Sequence, residues 1–418
     1  MQTPTFGPVT ANQRINILDI LRGFALLGIL VVNIVDDYDF SVPFTSPDFN
    51  NINVWTKQIV HAFAEGSFYP IFAFLFGIGF AIWMDRSMKK NGGPLRFIWR
   101  SLILLALACL FYIFIEQRNI LLRYSILSIP LLLFYKAGPK TLLTAALIFL
   151  LLAVFYRPFI LLIDKKKSPQ EIAVIKKERE QIKAAWAVAE EKGDFWSISQ
   201  VRLKVLPNQF QYILKHWSLP MIFCIFLLGI YSWRKGLFTA IEKHTVFWKR
   251  VFWGGLIIGV GGNLFYFIIW VLAIKKILIP DWENLNYLIT IANPALSFFY
   301  ISSFVLFYQK LNGRRNILSD ALKDTGRIPL TNYFTQCIAM ALLMLPYGLG
   351  LDGKLYSQYL VLIAILIFIL QVIFSVFWMK YFIYGPMEWL WRSLTYLKIQ
   401  PMRLKPSHKV NEKKSGNI

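Results

Sequence analysis

The segment RINILDILRGFALLGILVVN, residues 14–33, decides the fold of this chain. It is long and apolar enough to be a membrane-spanning helix, yet it carries Asp19 and Arg22 near its start and Asn33 near its end. At ~100° per residue these three side chains fall within a stripe of roughly 60°, and about 21 Å of helix separates Asp19 from Asn33. Polar groups in such a helix usually face other protein or water, so they mark a candidate site. The alternative is an Asp19–Arg22 pair that only anchors the helix at the membrane edge.

The composition is that of a membrane protein. Of the 418 residues 56% are hydrophobic and only 16% are charged, and the mean hydropathy is +0.51. A soluble domain of this size needs more polar surface, so we predict an all-α, polytopic membrane helical bundle with the lipid bilayer as its partner. The net charge of +22 comes with no nucleic-acid-binding motif, so we predict no nucleic-acid partner.

Apolar runs along the chain predict about ten transmembrane helices. The runs lie at 17–35, 58–83, 97–115, 120–135, 141–163, 217–233, 247–272, 287–308, 328–346 and 358–383. Lys and Arg concentrate in alternate connections, at 86–100, 234–250 and 310–327, and in the tail. Positive charge stays on the cytoplasmic side of a membrane, so we predict that both termini are cytoplasmic. The expected location is the bacterial cytoplasmic (inner) membrane, as a multi-pass protein.

The chain divides into four parts by this pattern. We predict a five-helix membrane half at 1–163, an extracytoplasmic helical insertion at 164–216, a second five-helix half at 217–398 and a basic cytoplasmic tail at 399–418. The insertion opens with Ser168-Pro-Gln-Glu171, a helix-capping pattern. It is either a helical cap over the outer face or a solvated charged helix with no role in chemistry. Assembly as a homodimer is left open.

Two polar pairs lie at helix starts. His61 and Glu65 are four residues apart and share a helix face, which suits a general base with its orienting carboxylate. The alternative is an ordinary polar helix start. Asn332 and Gln336 are one turn apart in a later run, where buried amides bridge helices or line a cavity. The sequence contains no Cys or His pattern typical of a metal site, so we predict none.

The end of the last membrane segment has its own pattern. Glu388 and Arg392 are spaced as an i,i+4 ion pair, and Trp391 between them suits a membrane interface.

These motifs resemble those of the YeiB family of bacterial membrane proteins, which is defined by a C-terminal domain of unknown function. The first family pattern is matched by Leu18, Asp19, Arg22, Gly23, Ala25, Gly28, Ile29 and Asn33, and the second by Glu65 to Phe80. The later patterns are matched by Gly326, Arg327, Leu330, Thr331, Asn332, Tyr333, Gln336, Gly385, Pro386, Glu388, Trp389, Trp391, Arg392 and Thr395. Members often carry a His late in the third span and an Asp opening the fourth, where this chain has Phe111 and Asn119.

The family in turn resembles, more distantly, the transmembrane acyltransferases typified by heparan-glucosaminide N-acetyltransferase. That resemblance implies an acyl-CoA donor such as acetyl-CoA on the cytoplasmic side, with Arg22 and the basic loops meeting its phosphates. It implies that His61, with Glu65, activates an acceptor on the other side.

We expect Asn33, His61, Glu65 and Asn332 to enclose a polar cavity, with Asp19, Arg22, Arg327 and Gln336 also lining the site. A small-molecule transporter or permease is the alternative function, because the same buried polar groups could hydrate a path. A non-catalytic structural or regulatory role in the membrane is the third function that we consider.

Overall fold

Helices build almost all of the structure, a computed structural model that describes residues 14–38, 51–89, 93–117, 119–164, 168–214, 216, 218–280, 282–311 and 316–404. Within these ranges there is no β-strand, and one isolated antiparallel bridge pairs Phe382 with Arg403. The first eight α-helices are α1 (Asn16–Tyr38), α2 (Ile52–Phe63), α3 (Tyr69–Lys89), α4 (Gly93–Phe114), α5 (Ile120–Ser128), α6 (Pro139–Asp164), α7 (Pro169–Lys192) and α8 (Phe195–Leu214). The rest are α9 (Ser218–Arg234), α10 (Thr245–Gly255), α11 (Gly261–Ile274), α12 (Trp282–Lys310), α13 (Ile317–Arg327), α14 (Pro329–Met344), α15 (Ser357–Trp378) and α16 (Pro386–Tyr396).

Among the residues that the structure describes, seven stretches of helix are long and apolar enough to cross a membrane, so the chain has the character of a multi-pass membrane protein. They are Asn16–Tyr38, Tyr69–Lys89, Gly93–Phe114, Pro139–Tyr156, Ile241–Ile274, Tyr287–Lys310 and Ser357–Trp378. An eighth is reached if α8 and α9, which meet at a 66° bend, form one broken span. Ten spans with both termini cytoplasmic stays a prediction.

The predicted run 58–83 is divided in the structure. Helix α2 ends at Phe63 and α3 begins at Tyr69, with a turn between them. Gly66 takes a positive φ of 73° in this turn, a backbone region that favours glycine, and the side chain of Asn293 lies against it. Ser297 donates a hydrogen bond of 2.5 Å to the carbonyl oxygen of Ser67. The turn is therefore fastened to α12, which explains why an unbroken apolar run does not form one helix.

Two other predicted runs are shorter helices than expected. In the run 120–135, α5 stops at Ser128 and a 3₁₀ turn follows from Pro130, because a proline cannot continue the hydrogen bonding of an α-helix. In the run 328–346, α14 has 16 residues. The insertion contains two helices, α7 and α8, which pack against each other. The carboxylate of Asp194 caps α8 by accepting a hydrogen bond of 2.8 Å from the backbone of Ser197.

Helix α1 lies inside the bundle. It packs chiefly against α13, and also against α15, α3 and α14. We call its Asp19 end the entrance end and its Asn33–Tyr38 end the far end. The polar groups at these two ends form the candidate site.

Candidate functional site

The entrance end of α1 holds a charged cluster. Arg22 donates a hydrogen bond of 2.5 Å to the carboxylate of Asp19, and Arg14 lies 3.6 Å from the other carboxylate oxygen. The side chain of Asp19 is 5% exposed, so this carboxylate is buried between two guanidinium groups. The two side chains interact, as the sequence predicted, and burial of Asp19 is offset by its partners.

Helix α13 closes over this cluster. Gly23 of α1 faces the carbonyl oxygen of Leu322, and Gly326 of α13 faces the carbonyl oxygen of Asp19. Neither glycine leaves room for a Cβ atom, so the two backbones touch. At Asp19 the neighbour of α1 is therefore α13, because paired glycines allow this close approach.

Arg327 ends α13 beside the same cluster. Its guanidinium lies 3.3 Å from Asp324. Burial and the neighbouring charge of Arg14 lower the pKa of Arg327, and burial raises the pKa of Asp324. Burial lowers the pKa of Arg392, and the positive charge of Arg14 lowers it further. The Arg392 guanidinium lies 4.6 Å from the centre of the Tyr384 ring. Several guanidinium groups therefore gather at the entrance end.

Glu388 binds the start of α14. Its carboxylate accepts hydrogen bonds from the backbone of Leu330 at 2.6 Å and of Thr331 at 3.1 Å, and from the Thr331 hydroxyl at 2.5 Å. Burial raises the pKa of Glu388, although these hydrogen bonds act in the opposite direction. The carboxylate serves as a helix cap and Arg392 stacks on Tyr384, while the charge of Glu388, four residues away on α16, still acts favourably on Arg392.

Trp391 fastens the other face of α16. Its indole N–H donates a hydrogen bond of 3.2 Å to the carbonyl oxygen of Arg100. The guanidinium of Arg100 lies 3.6 Å from the centre of the Trp391 ring, a cation–π contact. This part of the last motif has a structural role.

The amides of α14 bridge helices. Asn332 is fully buried, and its Nδ2 donates to the carbonyl oxygen of Thr325 and to Ser375, both at 3.0 Å. Gln336 donates to Gln371 at 2.9 Å and to the carbonyl oxygen of Leu26 at 3.3 Å. Asn332 therefore lies toward the entrance end, and the structure does not bring it to His61.

His61 and Glu65 form a pair near the far end of α1. The ring nitrogen Nδ1 of His61 is hydrogen-bonded to Oε2 of Glu65, and the side chains are 25% and 40% exposed. Helix α2 lies outside the seven candidate spans. Burial acts to lower the pKa of His61, but the hydrogen bond and charge of Glu65, with the charge of Asp36, outweigh it and raise that pKa. Tyr266 covers the imidazole at 5.6 Å between ring centres.

A second polar group at the far end was not predicted. Tyr38 donates a hydrogen bond of 3.3 Å to the carboxylate of Glu116, which is 5% exposed. Arg202 of the insertion is 3% exposed, and its charge acts on Tyr38 together with those of Glu116 and Asp37. In the sequence, Glu116 is marked by being an acidic residue between two apolar runs. The sequence around Arg202 gives no indication that this residue lies near α1.

The two positions that depart from the family pattern lie in this region. Phe111 is buried and packs on Phe334 at 4.1 Å and on Tyr333 at 5.8 Å between ring centres. Asn119 caps α5 by accepting from the backbone of Leu122 at 3.0 Å, and it donates to the carbonyl oxygen of Ala108 at 2.8 Å. Both residues have packing or capping roles here.

Asn33 is half-buried, one turn before Asp36 and Asp37 on α1. The charge of Asp36 acts on His61, and the charge of Asp37 acts on Tyr38 beside Glu116. This stretch of α1 therefore lies between the two polar groups of the far end. In the part of the chain that the structure covers, no three His, Cys, Asp or Glu side chains form a group that could hold a metal ion.

Known proteins match this chain over most of its length. Residues 14–166 match the family described as heparan-alpha-glucosaminide N-acetyltransferase, catalytic, and residues 232–398 match a protein family of unknown function, DUF418. The chain is 31% identical over 423 residues to the uncharacterized protein YxaH of Bacillus subtilis, with 95% of this chain and 98% of that protein covered. It is 26% identical to the uncharacterized protein YeiB of Escherichia coli, with 93% and 98% covered. No solved structure matches.

Proposed function

This chain belongs to the family that includes YxaH and YeiB, and from that premise we propose that it is an acyltransferase of the bacterial cytoplasmic membrane. It transfers an acyl group from cytoplasmic acyl-CoA to an acceptor at the opposite face. The observation that carries the proposal is the match of residues 14–166 to an acyltransferase catalytic family, because that segment contains Asp19, Arg22, Asn33, His61 and Glu65.

The entrance end of α1 is the donor side in this proposal. Arg14, Arg22, Arg327 and Arg392 gather there, and they outnumber the carboxyl groups of Asp19, Asp324 and Glu388. Guanidinium groups bind phosphate oxygens well, often through two hydrogen bonds at once. The phosphates of CoA would neutralise the excess positive charge. The acyl-bearing arm of the donor would then run along α1 toward Asn33.

The far end of α1 is the acceptor side. Since Nδ1 of His61 is hydrogen-bonded to Glu65, we assign the proton transfer to Nε2. The acceptor's hydroxyl or amine would give its proton to Nε2 as its oxygen or nitrogen bonds to the thioester carbon. The carbon–sulfur bond then breaks, and the CoA thiolate leaves with the proton from His61. Glu65 holds the ring in one orientation and stabilises its protonated form.

We propose that the chain divides as its sequence predicts, into membrane parts at 1–163 and 217–398, an extracytoplasmic insertion at 164–216 and a cytoplasmic tail at 399–418. The first part carries the groups that react, and the second supplies α13, α14 and α16, which close over the entrance end.

Donor binding tests the proposal. Titration of acetyl-CoA into the purified chain in lipid nanodiscs should show saturable binding that weakens as salt rises. Arg22→Gln, made together with Asp19→Asn so that the buried carboxylate does not lose its closest guanidinium partner, should weaken binding by about tenfold or more, since it removes one phosphate partner. Arg179→Gln is the matched control, because Arg179 is exposed on α7 of the insertion, away from the proposed donor side. Absence of binding to any CoA ester, with solute flux in proteoliposomes, would favour a transporter instead.

A further inference from the structure

Helix α12 holds the backbone on both sides of Glu65. The Tyr300 hydroxyl donates a hydrogen bond of 2.8 Å to the carbonyl oxygen of Phe63, the last residue of α2. Ser297, three residues earlier on α12, donates a hydrogen bond of 2.5 Å to the carbonyl oxygen of Ser67. Phe63 and Ser67 lie two residues before and two residues after Glu65 in the chain. Glu65 therefore belongs to a short turn whose two ends are fastened to the same helix.

The contact between Glu65 and His61 depends on the path of this turn. His61 lies in the last turn of α2, whereas Glu65 lies beyond the end of that helix at Phe63. The backbone N–H of Glu65 donates at 2.9 Å to the carbonyl oxygen of Val60, five residues back instead of four, and Gly66 then takes a positive φ of 73°. The helix has ended here, so its regular i,i+4 spacing no longer fixes the carboxylate. The two bonds from α12 supply that restraint.

The ring of Tyr300 extends the restraint to α1. It stacks on Phe68 with 5.5 Å between ring centres and 23° between ring planes. Phe68 is buried and lies against Gly28 of α1, where a Cβ atom would clash with the phenyl ring. Replacing Tyr300 by phenylalanine keeps this ring contact and removes only the hydroxyl, so the hydrogen bond to α2 can be tested by itself.

We propose that Tyr300 and Ser297 are positioning residues that hold Glu65 against His61, so that α12, in the second membrane part, sets the orientation of the proposed base. The role of His61 as a base rests on the proposed function, whereas the link between α12 and the His61–Glu65 pair does not. The same link explains how the two membrane parts cooperate in one site: the first carries the pair, and the second fixes its geometry.

The pKa of His61 measures whether Glu65 is in place. Burial acts to lower that pKa, and the hydrogen bond and charge of Glu65 raise it, with a further contribution from Asp36 of α1. Tyr266 of α11 lies on the imidazole at 5.6 Å between ring centres. The variants proposed below leave Asp36 and Tyr266 intact. Release of Glu65 from the contact should therefore lower the pKa of His61.

Nuclear magnetic resonance of the imidazole groups in the full chain, labelled at histidine and held in detergent, would follow this titration. The His61 signal is identified by its absence from His61→Ala. Tyr300→Phe and Ser297→Ala should each lower the pKa of His61 by at least about half of the drop that Glu65→Gln causes, since each releases one end of the turn.

Two controls on α12 separate this effect from a general loosening of the helix. Tyr308→Phe changes a tyrosine about 12 Å farther along the helix. Ser303→Ala removes a hydroxyl that donates at 2.7 Å to the carbonyl oxygen of Phe299, within α12 itself. Both should leave the pKa of His61 at its wild-type value.

A third control uses the Glu65→Gln background, where Tyr300→Phe should cause no further change in the pKa of His61. A rise in that background would mean that water has entered, because water removes the cost of burying the charged ring. Such a rise would overturn the positioning role, and a wild-type pKa in Tyr300→Phe or in Ser297→Ala would overturn it for that residue.

Activity distinguishes this proposal from the proposed function. Where acyl transfer is measured, Tyr300→Phe and Ser297→Ala should lower kcat and leave the KM for acetyl-CoA unchanged, because the donor side is untouched. A lowered pKa of His61 in a chain without acyl transfer would support the positioning role and contradict the acyltransferase. Acyl transfer with an unchanged pKa in both variants would do the reverse.

Discussion

Glu388 and Thr331, 57 residues apart in the chain, are joined by two hydrogen bonds: the carboxylate accepts the Thr331 hydroxyl at 2.5 Å and its backbone N–H at 3.1 Å. Together with the contact to Leu330, this ties α16 to the first turn of α14. The start of α14 lies beside Arg327, so the cap helps to position the entrance end.

Replacing this cap should destabilise the protein measurably. We expect Glu388→Ala to cost about 2 kcal/mol, because buried N–H donors lose their acceptor, and Glu388→Gln to cost less. Chemical unfolding in detergent would measure both. Glu242→Gln, at an exposed glutamate, is the control and should change little. Equal stability of Glu388→Ala and the control would contradict the capping role.

The contact between α1 and α13 depends on two glycines. Gly23→Ala and Gly326→Ala should each destabilise the fold by about 1–3 kcal/mol, because the new methyl group meets a backbone carbonyl that cannot rotate away. Gly79→Ala on α3 is the matched control: nothing lies within 4 Å of its Cβ position, so alanine should be neutral or slightly stabilising. Similar midpoints for all three variants would show that the helices do not touch.

The pairing of His61 with Glu65 should appear as a pH dependence. The pKa of His61 is raised in the folded chain, so its stabilising contribution is present below the unfolded value of about 6.5 and is lost as pH rises through the folded value. Glu65→Gln should therefore lower the unfolding midpoint more at pH 6 than at pH 9. Glu191→Gln, at an exposed glutamate of α7, should show no such difference. An equal loss at both pH values would rule out the charged pair.

Orientation is checked by labelling. A cysteine at residue 180 of α7, where Glu180 is exposed, should react with an impermeant thiol reagent added outside, in a Cys109→Ser background. A cysteine in place of Lys398 should react only after the membrane is opened. Labelling of position 180 only from the cytoplasmic side would reverse the predicted arrangement.

The sequence predicted local features well and long-range ones poorly. Apolar length predicted α1, α4 and α15 closely, and the three-residue spacing of Asp19 and Arg22 predicted their contact. The break between α2 and α3 was missed because it depends on Asn293 and Ser297, more than 200 residues away in the chain. Glu116 and Arg202 were missed for the same reason, since only the folded chain brings the insertion to α1.

Acyl transfer itself tests the central claim most directly. Purified wild-type chain in proteoliposomes, given acetyl-CoA with glucosamine as a probe acceptor, should release free CoA thiol. His61→Ala should lose at least about 100-fold in rate while retaining its unfolding midpoint to within a few degrees, because it lacks the group that takes the acceptor proton. His216→Ala, whose imidazole is hydrogen-bonded to Ser218 at 2.7 Å, is the matched histidine control and should keep the wild-type rate. Equally fast thiol release by His61→Ala would contradict the account. So would a wild-type chain that neither binds acetyl-CoA nor releases thiol.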